Sequence, residues 1–459
     1  MRILEPIVKN GFFFSPADPE KRYPGTLKIL DGGRIELHLT ADENAFVSLD
    51  EMFIGRLIGK IEGGYMTLEE CSYEKMNVSL GGGASTSLVS ARIAFIGMGM
   101  PEECLFDELE FAVEELSEWY GKSVFKPRIG TDLSDWTIDF EPSEPFECNL
   151  HDDIRLEIGM KSTFPGRVNY PITELRQQAY MTIKAGSPKP INFFISLSHK
   201  ITRFLALCVG HPVAIHSLRV SSTEKDCTKE WQEVYFQSLN NGTPAKKRSG
   251  QLMLLPYQQI ADQLTPMLQA WLTDYDTLMP ALHHFFAVQD ESLAYNDTKF
   301  LAIAQALEAF HRRTRSGQRW PKDEFRKKLA AIVSGAPEAD QEWVKQRLCF
   351  ANELTLGDRL NSLLEPFVDV YGGSVAIEQM VKDTRNTRNY HAHYDEKGEK
   401  KALKGAPLVA LILQLRVLFT LCLLTRLGIP TVEAIKLVRQ PNLSRLMRSA
   451  NHLIANNAD

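Results

Sequence analysis

Residues 381–395 read VKDTRNTRNYHAHYD: two arginines, four Asn or Thr side chains and two histidines in one short polar run. This set suits a phosphodiester. A guanidinium offers a rigid fork of donors matched to phosphate oxygens, and histidine is the side chain whose ordinary pKa lets it exchange protons near neutrality. When the 2′-hydroxyl of an RNA attacks its own phosphorus, a base must take the proton and a cation must hold the charge growing on the phosphoryl oxygens. That chemistry needs no metal. His391 and His393 diverge on a helix as an i, i+2 pair, and no companion carboxylate motif accompanies them, so neither a metal nor another cofactor is expected.

Outward from this run the chain reads as helical. Downstream lies a charged loop, residues 396–404, then the apolar stretch 408–428 that begins LVALILQLRVLFTLCLL. Upstream, residues 300–312 carry apolar side chains at 300, 303, 304, 307 and 310, the spacing of a core-facing helix. The order is helix, basic segment, helix, polar motif, apolar helix. The 408–428 stretch could span a bilayer by length, but Gln414, Arg416 and Arg426 would each be costly in lipid. It is expected to be a buried core helix, with no membrane partner, and the same charges disfavour a membrane-associated effector.

The first half has another texture. Residues 26–30, 34–39, 65–68 and 87–95 are short, rich in β-branched and aromatic side chains, and bounded by Gly, Asp-Gly or Pro turns, with 30–33 (LDGG) a tight-turn signal. Residues 136–140, 154–158, 179–184 and 213–220 are further candidate strands, and 198–209 a candidate helix. Helical signals take over from Gln258. The expected fold class is therefore α+β in two domains, a β-rich domain over residues 1–255 and an all-α bundle over 256–459. Gly81-Gly82-Gly83 lacks the Lys-Ser/Thr of a phosphate loop, so nucleotide binding is not expected.

With 44% hydrophobic and 24% charged residues, the 459-residue chain can build proper cores. Seven cysteines, odd in number and never spaced C-x-x-C, point to reduced thiols in the cytoplasm, and the first residues lack the pattern of a signal peptide. A net charge of −6 argues against coating nucleic acid by bulk charge, so any RNA contact must be local. The basic run from His311 to Lys328 is the candidate, with a solvated helix end complementing the macrodipole as the structural alternative. Lys246-Lys247-Arg248 is expected in a flexible loop.

Arg388-Asn389-Tyr390-His391-Ala392-His393 reads R-N-x-x-x-H, which resembles the Rx4-6H signature of HEPN ribonuclease domains. The wider context through Tyr394 and Asp395 resembles the ApeA-like HEPN branch, bacterial anti-phage abortive-infection proteins. LEAFHR at 307–312 and the stretch 354–364 are similar to that branch's first and next helices, and residues 106–119 resemble the strand-then-L-x-x-W feature of ApeA N-terminal domains. The resemblance implies a metal-independent endoribonuclease, toxic on activation. Arg388 would stabilise the phosphorane, His393 would act as general base and then acid, and Asn389 would share the site. It also implies a homodimer or higher even oligomer through the HEPN domain, an RNA substrate, and an N-terminal domain that senses a phage-derived trigger.

On an ideal helix Arg388 shares a face with His391, and Asn389 with His393, so spacing alone does not choose the histidine. The family pattern favours His393, reached through an irregular helix start, and His391 stays open. Arg385-Asn386 makes a second match, R-N-x4-H, ending at His391, and Arg385 is expected to help bind phosphate. Glu308 either faces the cleft or pairs with Arg312 at i+4. Tyr394 could position the phosphate or stack on a base. The competing reading is a catalytically inactive HEPN dimerisation or RNA-binding module that recruits a partner.

Overall fold

The computed structural model describes the chain except residues 42–51, 78–83, 101, 131–135, 152, 164–173, 223–230, 239–251, 316, 395 and 457–459. Gly81-Gly82-Gly83 and Lys246-Lys247-Arg248 lie outside the described residues. The chain divides into two units, Met1–Gln269 and Ala270–Asp459.

The first unit starts with β1 (Ile7–Ser15), β2 (Asp18–Leu30), β3 (Arg34–Ala41), β4 (Phe53–Ile61), β5 (Gly64–Asn77) and β6 (Ser85–Ala91). Pairing runs β5-β4-β1-β2-β3-β6 and returns from β6 to β5, closing a six-stranded antiparallel barrel. Closure leaves these strands no exposed edge. Alternate residues point inward: Leu27 and Ile29, Ile35, Leu37 and Leu39, Met66 and Leu68 are all buried around Phe13. Each such side chain contributes roughly 1.5–3 kcal/mol by leaving water. A Cβ on Gly59 would sit 2.6 Å from the Phe13 ring, so a bare backbone is what lets that ring fill the centre. The LDGG signal becomes a 3-10 turn, Asp31–Gly33, joining β2 to β3 across the Leu30–Arg34 pair. Gly33 has φ +68°, and a Cβ there would come 1.9 Å from the Phe236 carbonyl oxygen, so only glycine fits.

Beyond the barrel come β7 (Ile93–Ile96), β8 (Leu105–Val113), β9 (Phe125–Ile129), β10 (Trp136–Phe140), β11 (Phe146–Asn149), β12 (Ile154–Thr163), β13 (Arg176–Pro190), β14 (Ile215–Ser221) and β15 (Gln232–Phe236). β7 pairs on β5, and from it an open sheet runs β15-β14-β8-β13-β12-β11, with β9 and β10 a separate hairpin. The single strand expected over 87–95 is in fact two. The chain leaves β6 at Ala91, stays against β5 and exchanges β3 for β15 on its other side, and at the bend the Arg92 guanidinium pairs with Glu70 at 2.5 Å. Local alternation cannot register such a switch. Helices α1 (Leu116–Tyr120), α2 (Ile191–Val209) and α3 (Tyr257–Ile260) pack on this unit. The L-x-x-W feature is α1: Leu116 and Trp119 are buried, and the Trp119 indole N–H donates to the Leu255 carbonyl at 2.8 Å.

The helical part comprises α4 (Leu264–Gln289), which begins in the first unit, then α5 (Asn296–Thr314), α6 (Lys322–Ser334), α7 (Gln341–Leu348), α8 (Leu356–Leu364), α9 (Ser374–His393), α10 (Glu396–Glu399), α11 (Gly405–Arg426), α12 (Thr431–Leu437) and α13 (Pro441–Ala455). Among the described residues α11 is the one helix long and apolar enough to cross a membrane, and most of it is buried. It packs against α5 and α13, with Phe419 stacked on Phe285 (centroids 4.6 Å) and edge-on to Phe310 (5.5 Å). Arg426 at its end forks onto Asp274 at 2.6 and 2.9 Å, and the Gln414 carbonyl accepts from the Tyr371 hydroxyl. The α+β expectation, a β-rich part followed by a helical part, describes the molecule.

Candidate active site

The polar motif closes the long helix α9. Ile377, Met380, Val381, Thr384, Thr387 and His391 form its buried stripe, recurring every three or four residues. Two threonines on this stripe are satisfied locally. The Thr384 hydroxyl donates back to the Met380 carbonyl (2.7 Å), and the Thr387 hydroxyl accepts from the Leu403 amide (3.0 Å), tying down the segment that follows the motif. Helix α9 ends at Tyr394, which takes the left-handed conformation at φ +51° and whose amide donates to the Tyr390 carbonyl.

The two histidines therefore have different surroundings. His391 is buried among Phe300 (6.2 Å), Tyr390 (5.0 Å) and Tyr394 (6.0 Å), measured between ring centroids, and neither ring nitrogen has a hydrogen-bond partner among the described residues. His393 is exposed. Arg385 and Asn389 are exposed and Arg388 is half-buried, and none of these side chains, nor that of His393, bonds to or ion-pairs with a described residue. Arg385, Asn389 and His393 follow one another at i, i+4, i+8 as an outward strip. Arg388 sits at its border.

The irregular helix start expected to bring Arg388 and His393 together is not there. Helix α9 is continuous from Ser374 to His393, so at about 100° per residue the two side chains point roughly 140° apart. Hydrogen bonding along the last turns holds that divergence, and only at Tyr394 does the backbone leave the helix.

Glu308 and Arg312 lie elsewhere. They form the i, i+4 pair on α5 at 3.1 Å, and Arg312 also reaches Glu353 at 3.1 Å. Phe300, the α5 residue that touches His391, is about 12 Å back along the helix axis from Glu308. The basic run continues into α6, and much of it is committed: Arg319 to Asp358 (2.9 Å), Arg326 to Asp323 and Lys328 to Glu324.

A pair the sequence reading passed over lies at the end of α5. His311 is 1% exposed and Arg359, on α8, is 3% exposed. Arginine only donates, so His311 Nδ1, 3.2 Å from Arg359 Nη1, must be the unprotonated nitrogen. Arg359 Nε also donates to the Leu354 carbonyl at 3.1 Å. Helix α8 is fixed by a capping box, Thr355 with Asp358, which together with Arg319 holds the Asp358 carboxyl at about 2. Burial first, then the neighbouring Arg359, Arg315 and Arg312, push the His311 pKa down to about 4. In the unfolded chain it titrates near 6.5. The folded value is the lower one, so its contribution is full above about pH 6.5 and is lost as pH falls toward 4. At about 1.4 kcal/mol per unit this amounts to roughly 3–4 kcal/mol. Urea midpoints should therefore fall more steeply between pH 6.5 and 4.5 in the native protein than in His311→Phe. Equal slopes would mean that His311 is not held neutral.

A β-rich unit followed by a helical part, with an Arg-Asn…His motif closing one of its helices, is the arrangement of a HEPN-type domain joined to a larger N-terminal part. The family model of ApeA N-terminal domain 1 matches residues 8–271, more than half of the chain, and that of the Apea-like HEPN domain matches residues 301–433. The chain belongs to the ApeA-like HEPN proteins. Membership supports a HEPN-domain anti-phage defence protein; HEPN domains are typically ribonucleases, and they often dimerise and act on RNA. None of the curated proteins and none of the solved structures matches the chain.

Proposed function

We propose that this protein is a metal-independent endoribonuclease of anti-phage defence, acting in the cytoplasm. The reading rests on one observation, the outward strip at the end of α9, where Arg385, Asn389 and His393 stand beside Arg388 with no partner among the described residues. Side chains this polar, left uncommitted beside one another, are available to a phosphate. His393 takes the proton of the 2′-hydroxyl, whose oxygen attacks phosphorus. Arg388, with the Asn389 amide, holds the charge on the phosphoryl oxygens, and Arg385 grips the strand beside them. The bond to the 5′-oxygen breaks, that oxygen takes the proton back from His393, and a 2′,3′-cyclic phosphate remains. Among the described residues no three His, Cys, Asp or Glu side chains gather as a metal centre would need.

Because Arg388 and His393 diverge on one helix, the working pair comes from two chains, Arg388 of one protomer meeting His393 of its partner in a homodimer. The N-terminal domain, residues 1–255, senses a phage-derived trigger and restrains the helical domain, residues 256–459. Mixed dimers test the pairing. Arg388→Ala and His393→Ala protomers, each inactive alone, should recover about a quarter of the wild-type RNA cleavage when co-assembled in equal amounts, since about half of the dimers are mixed and in each of these one arginine and one histidine still meet. If the mixture stays as inactive as its parents while dimers form, the two-chain site is wrong.

A further inference from the structure

The Arg359–His311 pair is more than a brace. Buried charge is costly unless another charge or a full set of hydrogen bonds meets it. Around this pair four arginines (312, 315, 319 and 359) face three carboxylates, and each carboxylate is already taken: Glu308 and Glu353 by Arg312, Asp358 by Arg319 and Thr355. Arg315 donates to the Ser362 carbonyl and hydroxyl, and Arg359 to a carbonyl and to neutral His311. Two guanidiniums thus have no carboxylate within 4.0 Å among the described residues, in a chain whose net charge is −6. Arg312, Arg315 and Arg319 are exposed, and Arg359 and His311 are buried beside them. His311 lies eleven residues along α5 from Phe300, the residue against His391, or about 16 Å.

We infer that Arg312 and Arg315 at the surface, backed by the buried charge of Arg359, form a phosphate subsite that grips the RNA backbone a few nucleotides away from the scissile phosphate. This rests on the nuclease reading for its substrate. It makes Arg359 a positioning residue for that subsite, one that the motif alone does not reveal. A free phosphate would satisfy the same donors, and RNA of different lengths separates the two sources.

The test is equilibrium binding of uncleavable 2′-O-methyl RNA, in a length series and at several salt concentrations, to the full chain and to Arg359→Met and Arg359→Lys. Each single-strand phosphate contact adds about 0.7 to the slope of log affinity against log salt. For long RNA, Arg359→Met should lower that slope by about one contact and weaken binding about tenfold, with Arg359→Lys in between; for the shortest RNA neither should change anything. A brace without a ligand would not alter the salt slope. Wild-type affinity and slope for long RNA in a folded Arg359→Met protein would overturn the subsite. So would melting of the wild type, but not the variant, shifted by inorganic phosphate while RNA binding stays equal. Should the variants not fold, hydrogen exchange on the native protein decides. Long RNA, but not short, should slow exchange in α8 and at the end of α5, and no slowing there refutes the proposal. These readouts are of binding, so they remain decisive even if the protein cuts no RNA, and cleavage without them sinks the subsite alone.

Discussion

Arg388→Ala and His393→Ala should each abolish phage protection and RNA cleavage without unfolding the protein. His393 is exposed, Arg388 is half-buried, and neither side chain is paired with a described residue, so removing either orphans no partner among the described residues. Loss of a positioned acid–base group costs about 10²–10⁴ in rate, and loss of a charge stabiliser of the oxyanion-hole kind about 10²–10³. His391→Ala should behave differently. His391 fills space against Phe300, Tyr390 and Tyr394, so its loss should lower the melting temperature with a smaller effect on the chemistry. Folded Arg388→Ala and His393→Ala proteins with full activity would end the nuclease reading. A His391→Ala protein that is stable and dead would move the proton carrier to the buried position, where neither ring nitrogen has a partner among the described residues.

The second large effect concerns the nucleophile. With the 2′-hydroxyl attacking, cleavage should persist in excess EDTA, spare DNA of the same sequence, and leave a 2′,3′-cyclic phosphate and a 5′-hydroxyl. A single 2′-O-methyl group at the scissile position should stop cutting while leaving binding intact, because the phosphate contacts are untouched. One atom is blocked, so the expected loss is complete at that bond. Products carrying a 5′-phosphate, formed only with Mg²⁺, would require a metal-activated water and carboxylates other than those named here.

Much of this was legible in the sequence. The apolar spacing over 300–312 gave α5, the Asp-Gly-Gly turn gave the β2–β3 hairpin, and the long apolar run gave α11, because each is decided by neighbours close in the chain. Barrel closure was not legible. It depends on β6 meeting both β3 and β5, and β8 likewise lies between β13 and β14, partners that only the folded chain brings together. At the motif, three-and-four spacing allowed Arg388 two neighbours. What separates the histidines is the direction of the buried stripe, set by Thr384 and Thr387, whose hydroxyls hide their membership of a core face. Arg359 left a trace that could have been read, a charge at i+3 in the stripe Leu356, Leu360, Leu363 of α8, where a cation is out of place unless something meets it.

The order of the two units along the chain has a consequence for synthesis. From Gln269, where the first unit ends, to Arg388 the ribosome must still add 119 residues. At about 5–20 residues per second that takes roughly 6–24 s. Sheets built from distant strands fold in about milliseconds to seconds. The barrel and its open sheet can therefore be complete before Arg388 leaves the ribosome, so each newly made copy acquires its proposed restraint ahead of its proposed active site.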